Sequence, residues 1–187
     1  MATIILPYNF TPRPYQKEFL DIIDYIKQNS RCRIRITTNG SYKKEDWWIQ
    51  LGQLLDHNDS ITFSIDGWDD YSNNQYRVNS DFDSIVTGIK TIRQHSTCLI
   101  KWSTIYFKFN QDKIDQISEF AKSLGCDEFM LVKSSKFDNK YAINGVDSLK
   151  PTQSLTSDTM NYQRNKTVFH RSDDFKIEQN KNNHEWA

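Results

Sequence analysis

Apolar positions along this chain switch repeatedly between two spacings. Phe19, Leu20, Ile22, Ile23 and Ile26 recur at the three-to-four-residue spacing of a helical stripe. In residues 32–38, Ile34 and Ile36 alternate with arginines, as on a strand. Trp47, Trp48, Leu51, Leu54 and Leu55 return to helical spacing, with Glu45 and Asp46 near the positive end of that helix. Residues 60–65 alternate again through Ile61, Phe63 and Ile65. Asp81 can cap a helix carrying Ile85, Val86, Ile89 and Ile92. Residues 98–109 form a long run of aromatic and β-branched side chains, read as a strand in which Tyr106, Phe107 and Phe109 continue the pairing. Asn110 can cap a helix with Ile114, Ile117, Phe120, Ala121 and Leu124 on one face, and Gly125 ends it as a C-cap glycine would. Residues 129–132 give a last buried strand.

The order is helix, strand, four times over. Strands separated by single helices pair in parallel through right-handed crossovers. The expected fold class is therefore α/β with mainly parallel strands. The pattern opens on a helix, so a strand that should precede it is missing or is the weak run at residues 4–6. After Phe137 the periodicity stops, and residues 138–187 are rich in Asn, Ser, Thr, Asp and Lys. Three regions follow: an extended Pro-rich arm at 1–17, an α/β domain at 18–137, and a polar, partly ordered tail at 138–187.

Two strands end in polar and glycine residues. Residues 34–38 run into Asn39-Gly40, and the next strand ends in Ser64-Ile65-Asp66-Gly67. Ligands of parallel α/β folds bind at the carboxyl ends of strands, because backbone groups are used up inside the sheet and become free only there. This edge is the candidate site.

Composition narrows the function classes. Apolar residues make up 37% of the 187, below the globular norm, while aromatics reach 13%, which reads as a real core diluted by polar segments. Lys plus Arg and Asp plus Glu number 24 each, so no global field draws nucleic acid or an anionic membrane. No apolar run reaches spanning length and no signal peptide stands at Met1, so the chain reads as cytoplasmic. Cys32, Cys98 and Cys126 match no zinc or iron–sulfur spacing and read as reduced, partly buried thiols. His57, His95, His170 and His184 are scattered, and Asp69 and Asp70 read as a solvated turn.

The segments ITTNGS (36–41), WWIQLGQLL (47–55), ITFSIDG (61–67), YR (76–77) and residues 101–137 come in an order and spacing that resemble the later part of a radical S-adenosylmethionine (SAM) domain of the type followed by a SPASM cluster domain. The resemblance implies an incomplete (β/α) barrel with SAM across the carboxyl strand edges. It implies that Ser64 and Arg77 hold the SAM carboxylate, with Thr38 and Asn39 bordering the cofactor and Asp66 contacting ligand or shaping the loop. A guanidinium fork with a short hydroxyl donor suits a carboxylate.

The family's four-iron (4Fe-4S) cluster needs three cysteines in a CxxxCxxC loop, and this chain has none. The Gly-Gly-Glu strand end that binds the SAM amino group is also missing, and the first glycine is Gly40. Without thiolates there is no iron–sulfur centre and no electron for the sulfonium. The expectation is a domain truncated on both sides and inactive alone, with its small-molecule or peptide substrate unspecified. An uncovered sheet edge would favour self-association.

Residues 5–19 are similar to something else, the opening of phage terminase large subunits, where Gln16 would match an adenine-contacting glutamine. No GxxxxGK[ST] loop follows, so a phosphate cradle is missing. A terminase-like start joined to a radical SAM remainder would suggest a phage source and a host-cytoplasm location. The rival readings are a terminase fragment and a non-enzymatic α/β binding module.

Overall fold

Four parallel strands and their crossover helices form an open α/β sheet. In the computed structural model the described residues are 18–134, 148–153 and 167–168. The Pro-rich arm with Gln16, the run at residues 4–6, most of the polar tail, His170 and His184 lie outside them. The elements are α1 (Phe19–Asn29), β1 (Arg35–Thr38), α2 (Glu45–Leu54), β2 (Ser60–Ser64), α3 (Asp70–Asn74), α4 (Phe82–His95), β3 (Leu99–Ile105), α5 (Ile114–Ser123), β4 (Glu128–Val132) and β5 (Thr167–Val168).

Spatial order equals chain order, β1-β2-β3-β4-β5. The first three pairings are parallel, and β5 adds antiparallel to β4. A sheet wound in one direction without reversal places its crossovers on one side, as in a barrel, whereas a doubly wound sheet reverses order and covers both. The incomplete barrel expected from the sequence is thus the fold found.

The register sorts the side chains. Ile36 pairs with Ile61, Phe63 with Trp102, and Trp102 with Phe129, so these residues share one face. That face meets Trp48, Leu51, Ile85, Ile89, Ile117 and Ala121 of α2, α4 and α5 in one core. Trp48 lies 5.5 Å from the Phe63 ring, and Trp102 meets Phe120 edge-on at 6.1 Å. Each fully buried side chain of this size contributes ~1.5–3 kcal/mol. Gly88 lets α4 approach α2, since a Cβ there would stand 2.6 Å from the Trp48 ring. The opposite face carries Thr37, Thr62, Ser64, Lys101, Ser103 and Met130, all partly or fully exposed. Lys101 and Glu128 pair across it at 3.1 Å. This is the polar, concave side of an unclosed barrel.

Three local expectations change. β3 stops at Ile105; Tyr106 still donates to the Val132 carbonyl at 2.9 Å, and the chain then turns through residues 107–110. Asn110 does not cap α5, whose N-cap is Lys113 without a side-chain bond. Asn110 is instead buried beneath the strand ends. Cys32 is exposed, while Cys98 and Cys126 are buried. Asp81 caps α4 by accepting the Ser84 amide at 2.9 Å. Gly125 (φ 88°) ends α5: its amide reaches the Lys122 carbonyl at 2.9 Å and that of Cys126 the Ala121 carbonyl at 3.1 Å. That pair of bonds is a Schellman motif.

Candidate functional site

Asp66 is the centre of the carboxyl edge. It follows β2 by two residues and is fully buried. Its Oδ1 accepts the Ile105 amide at 2.7 Å, which ties the end of β2 to the end of β3. Its Oδ2 lies 2.7 Å from Arg77 Nε, whose side chain is 21% exposed. The contact is a close ion pair between a buried carboxylate and a mostly buried guanidinium. Burial pushes the Asp66 carboxyl above the ordinary carboxylate range; the Arg77 charge and the Ile105 amide pull it back only in part.

Two buried asparagines build the surroundings. Asn73 Oδ1 accepts the amides of Asp66 at 2.9 Å and Gly67 at 3.2 Å, and its Nδ2 donates to Ser80 Oγ at 2.8 Å. Asn110 Nδ2 donates at 2.8 Å to the carbonyls of both Asp66 and Ile105, and its Oδ1 accepts the Phe107 amide at 2.8 Å. Thr104 Oγ1 donates to the Ile65 carbonyl at 2.7 Å and accepts from Trp102 Nε1 at 2.8 Å. Apart from the two side-chain pairs, Asn73–Ser80 and Trp102–Thr104, these bonds satisfy backbone groups where the strands end. Gly67 is required by close approach rather than by φ, because a Cβ there would sit 2.2 Å from the Asn73 nitrogen. Asp69 and Asp70 are exposed as expected, yet both serve as caps. Asp69 accepts the Ser72 amide at 2.7 Å in a capping box, and Asp70 accepts the Phe82 amide at 3.2 Å.

The backbone of Arg77 is fixed as firmly as its side chain. Its amide donates to the Asn73 carbonyl at 2.9 Å, and its carbonyl accepts the Ser80 amide at 3.0 Å. Arg77 lines a cleft of ≈440 Å³ together with Asn39, Tyr42, Tyr76, Val78, Asn79 and Ser80. Its two Nη groups make no hydrogen bond to a described residue. Tyr76 lies beside the guanidinium, 5.9 Å from ring centroid to Cζ.

Of the candidates from sequence, the structure brings Asn39 and Arg77 into one cleft and joins Arg77 to Asp66. Ser64 stands on the polar face of the sheet, in register with Ser103, half-buried. Thr38 faces the other way, in register with Phe63, and its hydroxyl accepts the Gly40 amide at 3.0 Å. Tyr42, Tyr76, Asn79, Asn73 and Asn110 were not singled out as site residues. The one legible signal near them was the Asp69-x-x-Ser72 capping pattern, which places a helix turn inside the polar run.

The cysteines stand at the other end of the sheet. Cys32 precedes β1, Cys98 immediately precedes β3, and Cys126 precedes β4. These are the amino ends of parallel strands, a strand length of roughly 17–20 Å from the Arg77 edge. Burial pushes the Cys98 thiol up and that of Cys126 up to about 12. Among the described residues no three His, Cys, Asp or Glu side chains converge as a metal-ligand group.

No family model matches the sequence, and no curated protein matches it. Solved structures do share its fold. The crystal structure of Streptococcus suis SuiB bound to S-adenosylmethionine aligns at a TM-score of 0.53 with 16% identity, over 65% of this chain and 27% of that one. A second crystal structure of SuiB aligns at 0.56 with 15% identity, over 76% of this chain and 31% of that one. The likeness is one of fold, and this chain spans less than a third of the SuiB chain in either structure.

Proposed function

We propose that this chain is a radical SAM-type domain that holds the methionyl end of S-adenosylmethionine at the Arg77 cleft. The observation that carries the reading is the Arg77 fork. Asp66 engages its Nε side, and the two Nη groups remain for a carboxylate at the ligand edge of a sequentially wound parallel sheet. The ITTNGS, ITFSIDG and YR segments support the reading, as does the fold shared with SuiB, one structure of which contains S-adenosylmethionine. Arg77 would bind the carboxylate as a fork, Ser64 would donate its hydroxyl from the concave face, and Asn39 would close the rim. Thr38 would act through the turn that presents Asn39.

In enzymes of this type the bound SAM, reduced by a neighbouring four-iron cluster, supplies a deoxyadenosyl radical. The described cysteines do not fit that cluster. Two are buried thiols, and all three stand at the amino ends of strands, away from the cleft. The isolated chain is therefore expected to bind SAM without cleaving it. Binding through the carboxylate alone should be weak, on the order of millimolar, since each missing charge-assisted contact removes ~1.5–3 kcal/mol. The outer edge of β1 pairs with no described strand, which favours self-association of the isolated chain.

Titration of SAM into isotope-labelled chain, followed by NMR, tests the reading. Resonances of Asn39, Ser64 and Arg77 should shift. Arg77→Ala should abolish the shifts, and His57→Ala, at the amino end of β2, should leave them unchanged. If no resonance at this edge moves, the proposal fails.

A further inference from the structure

Arg77 is the cation of its cleft, and Asp66 already lies against it. The geometry points to a proton-linked anion site: a carboxylate or other monoanion that docks on the Nη side of Arg77 does so with uptake of one proton by Asp66. The inference rests on the anion-binding reading of the Arg77 cleft and adds its regulation.

One guanidinium would serve two anions on opposite sides. Asp66 Oδ2 sits 2.7 Å from Nε, so an anion on the Nη groups lies within about 6–7 Å of that carboxylate across the guanidinium. Like charges at this separation repel, and more strongly in a buried site than in water. The repulsion falls on a group that is already uneasy as an anion. Asp66 is fully buried, Arg77 is the cation against its Oδ2, and burial holds its carboxyl up. Protonation removes the repulsion and leaves Arg77 to the incoming anion. Oδ1 keeps the Ile105 amide in either state, so the strand ends stay joined.

The other charged groups around Asp66 are engaged or exposed. On α3 and its N-cap, Asp69 accepts the Ser72 amide and Asp70 the Phe82 amide. Asp81, ahead of α4, accepts the Ser84 amide. In the segment after β3, Asp112 accepts from Gln153, Lys113 lies over the Trp68 ring, and Lys108 is exposed. Among the described residues, Arg77 is therefore the partner that sets the Asp66 charge.

The sign follows from linkage. The bound state holds more protons than the free one, so affinity rises as pH falls between the free and bound pKa values of Asp66. For one proton the slope approaches about tenfold per pH unit. Asp66→Asn removes the competing charge while keeping an oxygen for the Ile105 amide. It should bind the anion at least as tightly as the low-pH wild type, with no pH dependence.

The experiment uses methanesulfonate, which stays ionised throughout, so that only the protein titrates. Binding to wild type, Asp66→Asn and Arg77→Ala is followed by NMR at constant ionic strength from about pH 4.5 to 8, and SAM is titrated in parallel. Wild-type affinity that rises toward low pH, a flat and tight Asp66→Asn profile and silence in Arg77→Ala support the proposal. A pH-independent wild type overturns it, as does an Asp66→Asn variant that binds more weakly. If Asp66→Asn does not fold, the Asp66 carboxyl is titrated directly in wild type, and its pKa must rise when methanesulfonate saturates. Proton-linked methanesulfonate binding without SAM binding would sink the SAM reading and keep this one. SAM binding without proton linkage would do the reverse. No binding of either would sink both.

Discussion

Tyr42 donates its hydroxyl to the carbonyl oxygen of Asn79 across the mouth of the Arg77 cleft, and both residues hold left-handed backbone, at φ 70° and 64°. They are the non-glycine residues with positive φ among those described. Such conformations cost of order 1–2 kcal/mol for a side chain that does not favour them, and asparagine tolerates them best. The rim of the cleft is thus built from two strained turns that brace each other. Asn79→Gly should leave stability unchanged or slightly higher, whereas Asn79→Val should cost about 1–2 kcal/mol. Urea unfolding midpoints check this, and equal stability of the two variants would refute the strain.

Gly67 makes the sharpest steric prediction. An added Cβ would stand 2.2 Å from the Asn73 nitrogen and 2.6 Å from its Cα, and backbone cannot step aside as a flexible side chain would. Gly67→Ala should therefore destabilise by about 3 kcal/mol or more, as severe overpacking does. It should also disturb the Asn73 bonds to Asp66 and Gly67, seen as shifted amide resonances at both positions. A variant as stable as wild type would show that this turn is not formed.

The thiols should divide by position. Cys32 is exposed and should react with a thiol reagent in the native state. Cys98 and Cys126 are buried, with the Cys126 thiol pushed up to about 12, and should react only after unfolding. For the same reason anaerobic incubation of the isolated chain with iron and sulfide should give no stoichiometric four-iron cluster. Visible absorbance of a full cluster would mean that the three sulfurs meet, contrary to their placement before separate strands.

Lys27 joins α1 to the turn before β2 by pairing with Asp56 and, at 2.8 Å, with Asp59. Burial works to lower the Lys27 pKa, and the bonds to Asp56 and Asp59 outweigh it, so the value lies above 10.5. The Lys27 bond first, then the Asn58 amide, hold Asp56 below 3.8. The Lys27 contribution is therefore present below pH 10.5 and is lost as pH rises through its folded value. The Asp56 contribution is present above pH 3.8 and is lost as pH falls through its folded value. Lys27→Met should cost more than an exposed pair would near neutral pH, about 2 kcal/mol or more, because it leaves the fully buried Asp59 carboxylate without its cation. The difference between the variant and wild-type melting temperatures should narrow toward both pH extremes; a constant difference would assign the effect to packing.

The sequence by itself determined the four helix–strand units and their parallel pairing, though not the short helix Asp70–Asn74 or the strand Thr167–Val168. Those features follow from local periodicity and from which residues stand at strand ends: Ile61, Phe63 and Ile65 alternate whatever surrounds them, and Asp81 caps its helix through a bond three residues away. Only the tertiary structure decided which side chains share a space. Thr38 and Ser64 are both strand-end hydroxyls in the sequence, yet register with Phe63 and Ser103 sets them on opposite faces. Tyr106 and Phe107 read as more strand until Asn110, buried by contact with Asp66 and Ile105, turned the chain away. The Asp66–Arg77 pair joins the end of a strand to a turn beyond the next helix, and no periodicity encodes which of many charges will be buried together. Desolvation, which raises the Asp66 carboxyl, exists only once the strands, the short helix and both buried asparagines have closed around it.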